Sequence, residues 1–517
     1  MICSVTELFL TNHTKGIEMA KPVCLVTPPS PFLMDELVFP FLGPLKVGAM
    51  IEKAKWTVEV LDLTGIKNFT DAVEDCASNS TARHFGITAT TPQFPAAVRI
   101  AKAIRSVRKD ARVIIGGTHA TLTVAACKYE VANKRIGRAH KAYRQLEANL
   151  DVIVSGDGEE TIFLAVEDNA PKLIDADDRR SPHFLTDAKL ETTPFPARHL
   201  IDLARYHYTI DGVPATSLIA QLGCPYKCGF CAGRASPMLR NIRTRSSENI
   251  VAELTFLYQT YGYRGFMFYD DELNVNPKMV ELMQKIAQAQ QTLGVEWKLR
   301  GFIKSERFTD GQAHAMYEAG FRQILVGFES GSPRILENIQ KIATRDDNTR
   351  CMEIACRHGL KVKALMSLGH PGESDETIEE TLKWLIDARP SDFDATVITP
   401  YPGSPYYDHA LPLDVPHSGR PVWVYTCKNG DRLYQEEVDY SSEADYYKGD
   451  PDDGYSSHVW TDYVDANTLV ARRNELEADV RKKLGIPFNP SRPAILYEHS
   501  MGQSPPSHIL RSSSPLA

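Results

Sequence analysis

The stretch Gly223-Cys224-Pro225-Tyr226-Lys227-Cys228-Gly229-Phe230-Cys231 sets three cysteines within eight positions, in a C-x3-C-x2-C run. Three thiolates at this spacing on one loop can converge on a single centre, because soft sulfur ligands select iron–sulfur clusters or zinc. Structural zinc takes four ligands, and no fourth Cys or His lies at zinc-finger distance. Three ligands on a four-iron cluster leave one iron open to an outside ligand, and the run favours that reading over zinc or coincidence. Gly223 and Gly229 let the loop wrap, while Pro225 restricts it. The run follows Ser217–Gln221, an apolar stretch that reads as a strand, so the cysteines sit on the loop that leaves the strand's carboxyl end.

That strand opens a βα series reaching to about Pro400. Further strand candidates are Gly265–Tyr269, Trp297–Gly301, Gln323–Phe328, Lys361–Ser367 and Ala395–Thr399, with amphipathic helices such as Ser247–Tyr261 and Pro277–Leu293 between them. Six strands with helical crossovers predict a partial (βα)6 barrel with its chemistry on the loops after the strands. Upstream, residues 166–215 contain Pro171, Pro182, Pro194 and Pro196 and read as a linker. Residues 22–165 alternate strand candidates (Val23–Thr27, Thr57–Asp62, His84–Thr88, Arg112–Ile115, Asp151–Ser155) with helices near Leu45–Lys55 and Pro95–Lys109. This is an α/β pattern that predicts a doubly wound, Rossmann-like parallel sheet. Ligands of such sheets sit at strand carboxyl ends, where the glycines and threonines of this region collect. No G-x-G-x-x-G or Walker sequence supports a nucleotide there. Residues 128–150 are basic and read as a helical surface insertion.

The barrel is assigned to residues 216–410, and past Pro402-Gly403-Ser404 the pattern breaks. Residues 411–490 are expected to form a small, mostly helical C-terminal region. Within it, the acidic, tyrosine-rich segment 438–454 reads as a solvated loop, with its aromatic and acidic residues as the alternative candidates for substrate contact. Asp465–Leu484 reads as an amphipathic helix. Residues 491–517, rich in Pro and Ser, read as a disordered tail.

The chain of 517 residues carries 58 Lys and Arg against 66 Asp and Glu, a formal charge of −8, with 43% apolar and 24% charged residues. That is ordinary globular composition with room for about three domains. No basic tract offers a phosphate-neutralising stripe, which argues against nucleic acid as a partner. Stretches free of Asp, Glu, Lys and Arg reach at most fifteen residues, short of the roughly 20 apolar residues of a membrane span. With no signal-peptide pattern at the N-terminus, the expectation is a soluble, cytoplasmic protein. The ten cysteines are too sparse for a disulfide scaffold. The seven outside the run (Cys3, Cys24, Cys76, Cys127, Cys351, Cys356 and Cys427) read as small packing residues.

The cysteine run, with the aromatic Phe230 before its last member, resembles the signature of the radical S-adenosylmethionine (SAM) enzymes. The resemblance implies a 4Fe-4S cluster on Cys224, Cys228 and Cys231, whose open iron is chelated by SAM. It implies reductive cleavage of SAM to a 5′-deoxyadenosyl radical that takes hydrogen from an unactivated carbon. An external electron donor of flavodoxin or ferredoxin type is implied with it. Further runs match in order: Tyr269-Asp270-Asp271-Glu272, Arg300, Gly327-Phe328-Glu329-Ser330-Gly331-Ser332, Leu368-Gly369-His370-Pro371-Gly372-Glu373 and Pro400-Tyr401-Pro402-Gly403-Ser404. From them the resemblance implies Phe230, Asp271, Arg300, Glu329 and Ser330 as SAM contacts, while His370 could equally be structural.

The N-terminal region resembles the cobalamin-binding domain found ahead of many such barrels, through Gly43-Pro44-Leu45, Gly86–Thr91, Gly116–Thr121 and Gly156-Asp157-Gly158-Glu159. The implied cobalamin contacts are Leu45, Thr88, Thr90, Thr91, Gly116, Gly117, His119, Gly156, Asp157, Gly158 and Glu159. The D-x-H-x-x-G loop that gives cobalt a histidine in other corrinoid proteins is absent, and Ala54-Lys55-Trp56 stands where relatives usually have a glycine. Together these features predict a cobalamin-dependent radical SAM enzyme, a C-methyltransferase acting on a small-molecule or natural-product intermediate. A rearrangement, cyclisation or oxidation with the same cofactors stays open. A non-catalytic cluster or corrinoid sensor would need an output module, and residues 411–517 show no such motif.

Overall fold

The protein was analysed as a computed structural model, which describes residues 21–30, 36–417, 419–447, 449 and 454–486. Strands β1 (Val23–Thr27), β2 (Val58–Asp62), β3 (His84–Thr88), β4 (Arg112–Gly116), β5 (Val152–Ser155) and β6 (Leu173–Asp175) form one sheet in the order β2-β1-β3-β4-β5-β6. All its neighbours are parallel. The runs VCLVT and VIVS are buried along their whole length, as strands covered by helices on both faces must be. The chain order reverses between β1 and β3, and the connections on either side diverge there to leave a crevice at the strand ends.

Five strands lie where the apolar runs predict them. The sixth, β6, falls inside the stretch read as linker, so the sheet continues to Asp175; three residues are too few to register as a period. The expected surface insertion is also corrected. Helices Thr118–Ala132 and Arg138–Asn149 form the β4-to-β5 crossover, and Arg138, Ala139, Ala142 and Leu146 are buried. Small alanines supply that buried face, so the apolar signal is weak beside so many cations.

The central domain holds β7 (Thr209–Ile210), β8 (Val213–Leu218), β9 (Gln221–Leu222), β10 (Arg243–Thr244), β11 (Gly265–Phe268), β12 (Lys298–Ile303), β13 (Gln323–Glu329), β14 (Lys361–Leu368) and β15 (Asp392–Val397). A seven-stranded sheet runs β15-β14-β13-β12-β11-β8-β7. Its strands from β8 to β15 are parallel neighbours, and β7 is the antiparallel arm of a hairpin. This is the partial six-stranded βα barrel expected. Side chains alternate across it. Ala215, Met267, Phe302, Leu325 and Leu365 cluster on the inner face, while Phe266, Phe268, Leu299, Ile303 and Val326 pack in the larger helix-covered core. The first barrel strand lies earlier than the predicted Ser217–Gln221; Gln221 belongs instead to β9, paired antiparallel with β10.

Beyond the barrel, β16 (Leu411–His417), β17 (Arg420–Thr426), β18 (Arg432–Glu436) and β19 (Val459–Thr461) form an antiparallel sheet beside the helix Ala466–Leu484. The helix is there as predicted, N-capped by Asp465, whose side chain accepts from Thr468 N at 2.9 Å. The region is nevertheless mixed rather than mostly helical. Prolines and charges interrupt the period-two pattern of Leu411–His417 and Arg420–Thr426 and hide the strands. The segment read as a solvated loop is corrected as well: Val438, Tyr440 and Tyr446 are buried in the core of the N-terminal domain. Asp445 is exposed and Asp439 and Glu443 are half-buried while these rings turn inward, a division that average composition conceals. The predicted disordered tail lies outside the described residues. No helix among those described is long and apolar enough to cross a membrane.

Candidate active site

The cysteine loop is closed at its base by the β9–β10 pair and pinned along its length. Cys224 N donates to Leu239 O at 2.9 Å, Gly229 N to Ile339 O at 2.7 Å, and Cys231 N to Cys228 O at 3.2 Å. Gly223 has φ +85° and lies against the Asn241 backbone, where a Cβ has no room. Burial raises all three thiols, Cys224 to about 12 and Cys231 to about 11, and at Cys228 the nearby Lys341 and Lys304 work against the rise. Thiols so placed stay protonated and are poor free nucleophiles.

Acids and lysines from successive strand ends surround this loop. After β11, Asp270 is buried, accepts the Gln221 N–H, and is pushed up to about 7 by burial. Glu272 is likewise pushed to about 7 by desolvation, which Lys304 and Lys341 oppose. Asp270 Oδ2 and Glu272 Oε2 are buried without a hydrogen-bond partner, so both can receive a ligand's donors. After β12, Lys304 pairs with Glu306 at 3.1 Å and lies 4.3 Å from the Tyr226 ring centroid. Lys341 pairs with Glu329 at 3.0 Å. Glu329 has φ +66°, a left-handed conformation unusual for a non-glycine residue. Burial works to raise its carboxyl, but Lys341 and the Ser367 hydroxyl, 3.0 Å away, outweigh it and hold the group below its ordinary value.

Phe230 and Glu329 are therefore brought to the cysteine loop, with His370 between them: its ring lies 5.4 Å from that of Phe230 and its Nε2 2.7 Å from Ser367 Oγ. Burial lowers His370 to about 4, so it is a neutral ring. Ser330 turns away into its own turn, bonded to Thr381 Oγ1 at 3.0 Å and accepting from Ser332 N. Arg300 lies mid-strand rather than at a strand end, because β12 continues to Ile303. It reaches Tyr208 OH at 3.0 Å, among the inner-face residues of the barrel.

A cavity of about 340 Å³ separates the two domains. The N-terminal sheet contributes Thr88, Gly116, Gly117, Gly156, Asp157, Gly158 and Glu159, and the barrel contributes Gln221, Gly223, Arg243, Tyr269 and Asp271. Apolar Leu25, Val47, Ile87, Ile114, Val154 and Ile162 line it as well. Gly117 has φ +88°, and a Cβ there would meet Thr88 Oγ1 at 2.6 Å, so the backbone itself forms the wall. Such a broad, apolar, glycine-floored chamber suits a large flat ring. Arg243 crosses it to Asp157 at 2.6 Å, and Lys46 pairs with Glu159 at 3.2 Å.

Leu45, Thr90, Thr91 and His119 are not among the cavity-lining residues. Thr90 caps a short 3₁₀ turn with Gln93, and Leu45 is buried, its carbonyl accepting from Ala197 N. His119 is buried, with Nδ1 3.3 Å from Thr91 Oγ1 and its ring 4.3 Å from that of Phe94. Burial lowers it to about 3. No sequence motif marks Lys304, Lys341, Arg243 or Lys46, since a lone cation carries none; Lys304 is the residue directly after β12.

A partial βα barrel with three cysteines after its first strand, joined through a shared chamber to a doubly wound domain, defines a radical SAM enzyme with an added cofactor domain. The Radical SAM superfamily model matches residues 218–385 and the B12 binding domain model residues 37–147. The chain belongs to the cobalamin-dependent radical SAM enzymes, whose cofactors are a 4Fe-4S cluster, SAM and cobalamin. It is 29% identical over 335 residues to an uncharacterized methyltransferase of Pyrococcus horikoshii, covering 63% of this chain and 69% of the relative. It is 23% identical over 338 residues to the anaerobic magnesium-protoporphyrin IX monomethyl ester cyclase of Rubrivivax gelatinosus, covering 62% of this chain and only 57% of that one. The fold matches the radical SAM methyltransferase TsrM of Kitasatospora setae, solved with cobalamin and a 4Fe-4S cluster, with TM-score 0.58, 17% identity, and 75% and 77% of the two chains covered.

Proposed function

We propose that this chain is a C-methyltransferase that moves a methyl group from SAM to an unactivated carbon of a small-molecule substrate. The observation that carries this reading is the single cavity: the glycine-floored sheet edge and the barrel residues next to the cysteine loop face one space, so two cofactors would meet there without crossing solvent. Cys224, Cys228 and Cys231 would hold the cluster. Phe230, Asp271 and Glu329 would contact SAM, with Lys341 and Lys304 offsetting negative charge beside the sulfurs. Arg300 and Ser330 would act from behind this layer. Thr88, Gly116, Gly117, Gly156, Asp157, Gly158 and Glu159 would hold cobalamin, and His119, Thr90, Thr91 and Leu45 would shape the wall behind them. When bound, the group supplies a methyl carrier at cobalt, while the cluster and SAM supply a carbon-centred radical. The residues of the chain itself bind, orient and keep water out: the apolar wall of the chamber and the Arg243–Asp157 clasp exclude it.

Exposed Lys227 and Arg307, beside the cysteine loop, suit docking of an acidic electron donor of flavodoxin or ferredoxin type. Within the domain scheme, the N-terminal unit would run from residue 22 through β6 and the barrel from 216 to 410.

The test needs no substrate. Anaerobically purified protein loaded with iron, sulfide and cobalamin is incubated with trideuteromethyl-SAM and reductant. S-adenosylhomocysteine together with label on the corrinoid is the expected result. Release of 5′-deoxyadenosine with no S-adenosylhomocysteine would sink methyl transfer and leave the second reading, a ring-forming or rearranging enzyme, which the likeness to the cyclase supports. Neither product would remove both readings.

A further inference from the structure

A second group of cysteines lies away from the cavity, at the outer edge of the N-terminal sheet. Cys24 of β1 and Glu59 of β2 are register partners on adjacent parallel strands, so their side chains leave the same face. The helix Phe69–Asn79 lies over that face, held down by Phe69, Val73 and Ala77, and brings Cys76 above the pair. One ligand atom from each of Cys24, Glu59 and Cys76 lies within 4.8 Å of the other two. Leu25, the next residue of β1, faces the opposite side of the sheet and lines the cavity. The trio is therefore separated from the cobalamin chamber by the thickness of the sheet.

We propose that Cys24, Glu59 and Cys76 form an open zinc site between this helix and the sheet edge, in which three protein ligands leave the fourth position to water and the site is not of the closed, purely structural type. Two thiolates and a carboxylate are a donor set for a d¹⁰ ion without geometric preference. With Zn–S bonds of about 2.3 Å, two sulfurs of a tetrahedral site stand roughly 3.8 Å apart, within reach of small side-chain rotations here. The supporting contacts are also in place. Ser80 Oγ donates to Glu59 Oε2 at 2.7 Å, fixing the carboxylate, and the Leu61 N–H points at the Cys24 sulfur. Outer contacts of this kind orient metal ligands. Cys24 is buried, whereas Cys76 and Glu59 are half-exposed, which leaves a path for the ion from solvent. Zinc would bring the formal charge of the ligand set from −3 to −1.

The test is elemental analysis and competitive zinc titration of the full chain with its iron–sulfur cluster assembled. One zinc per chain is expected in addition to the iron. It should be retained in a C224A/C228A/C231A chain, which excludes zinc lodged in the cluster loop. C76S should weaken zinc by more than about 100-fold, the most that loss of a supporting hydrogen bond costs, and S80A by about 10-fold. Cobalt(II) on the cluster-free chain should give a thiolate charge-transfer band that C76S removes, a readout independent of stability. Absence of stoichiometric zinc, undiminished binding in both C76S and E59Q, or a Cys24–Cys76 disulfide in anaerobically handled protein would overturn the proposal.

Discussion

The two ends of the barrel both bury charge, and they do so differently. At the floor, Lys363 is fully buried between Asp392 and Asp394, at 3.1 and 2.9 Å. Arg481 from the C-terminal helix reaches Asp392 at 3.4 Å and Phe393 O at 2.8 Å, and Arg473 reaches Ala395 O at 2.6 Å. Every carboxylate there has a cation within 4 Å. At the upper end Asp270 and Glu272 each keep a buried oxygen without a hydrogen bond. Asp394 Oδ1 and Glu477 Oε2 do so at the floor as well, but there a cation stands within 4 Å, and among the described residues none stands so close to Asp270 or Glu272. A matched network holds a fold together, whereas an unmatched one is a site awaiting its ligands.

The largest effect expected is at the upper end. Cys228→Ala should abolish iron–sulfur absorption and 5′-deoxyadenosine release, while the urea midpoint of the cluster-free chain moves little. A large loss of stability in the cluster-free variant would mean that the loop belongs to the fold rather than to the cofactor.

Next in size, Lys363→Met should destabilise the protein by about 3–5 kcal/mol, because it strips a buried cation from two carboxylates. Glu272→Gln should do the reverse: it breaks no ion pair, so stability of the cluster-free chain should not fall, while 5′-deoxyadenosine release drops. Equal urea midpoints for Lys363→Met and wild type would erase the contrast between the two ends.

The sequence exposed the upper end better than the floor for a physical reason. The three cysteines proposed as cluster ligands share one short loop, so their spacing is local and visible in Cys224–Cys231. Asp270–Glu272 follow a strong apolar strand and are visible in the same way. The floor instead joins Lys363, Asp392 and Arg481, brought together only by the fold, and no local pattern announces a lysine inside a strand. The same holds for Lys341 and Lys304 beside the cluster loop, and for Cys24 and Cys76, which packing unites. The burial of Tyr440 and Tyr446 is hidden in the sequence because their acidic neighbours dominate composition, while burial is decided ring by ring. His119 followed its motif into the expected region but points behind the wall, since only a backbone trace distinguishes the two sides of a turn.

Acidity offers a smaller effect with a definite sign. Glu272 titrates near 7 in the fold against an ordinary 4.5. The folded state thus keeps a proton that the unfolded chain has released, and this contribution to stability is whole below about pH 4.5 and lost as pH rises through 7. Asp270, Glu373 and Asp408, each pushed to about 7 by burial, act in the same direction. Urea midpoints of the cluster-free chain should therefore fall between pH 5 and 7.5, and Glu272→Gln should shallow that slope. An unchanged slope would mean that Glu272 is ionised in the empty site and paired with Lys304 or Lys341.

The smallest effect sharpens the comparison most, because it keeps the helix and the residue type and changes only burial. Arg472 and Arg481 both stand on Ala466–Leu484 and both bond carboxylates. Arg472 meets Asp375 at 2.7 Å with 42% and 63% of the two side chains exposed, whereas the pair of Arg481 with Asp392 is almost wholly enclosed. Water solvates the partners of Arg472 when it is removed, so Arg472→Ala should cost less than about 0.5 kcal/mol. Removing Arg481 takes a buried cation from Asp392 and Asp394, and Arg481→Met should approach the loss seen for Lys363→Met. If the two arginine variants proved equal in urea, enclosure would not be what gives the floor its strength, and the helix would be held by its apolar face, Leu469, Leu476 and Val480, instead.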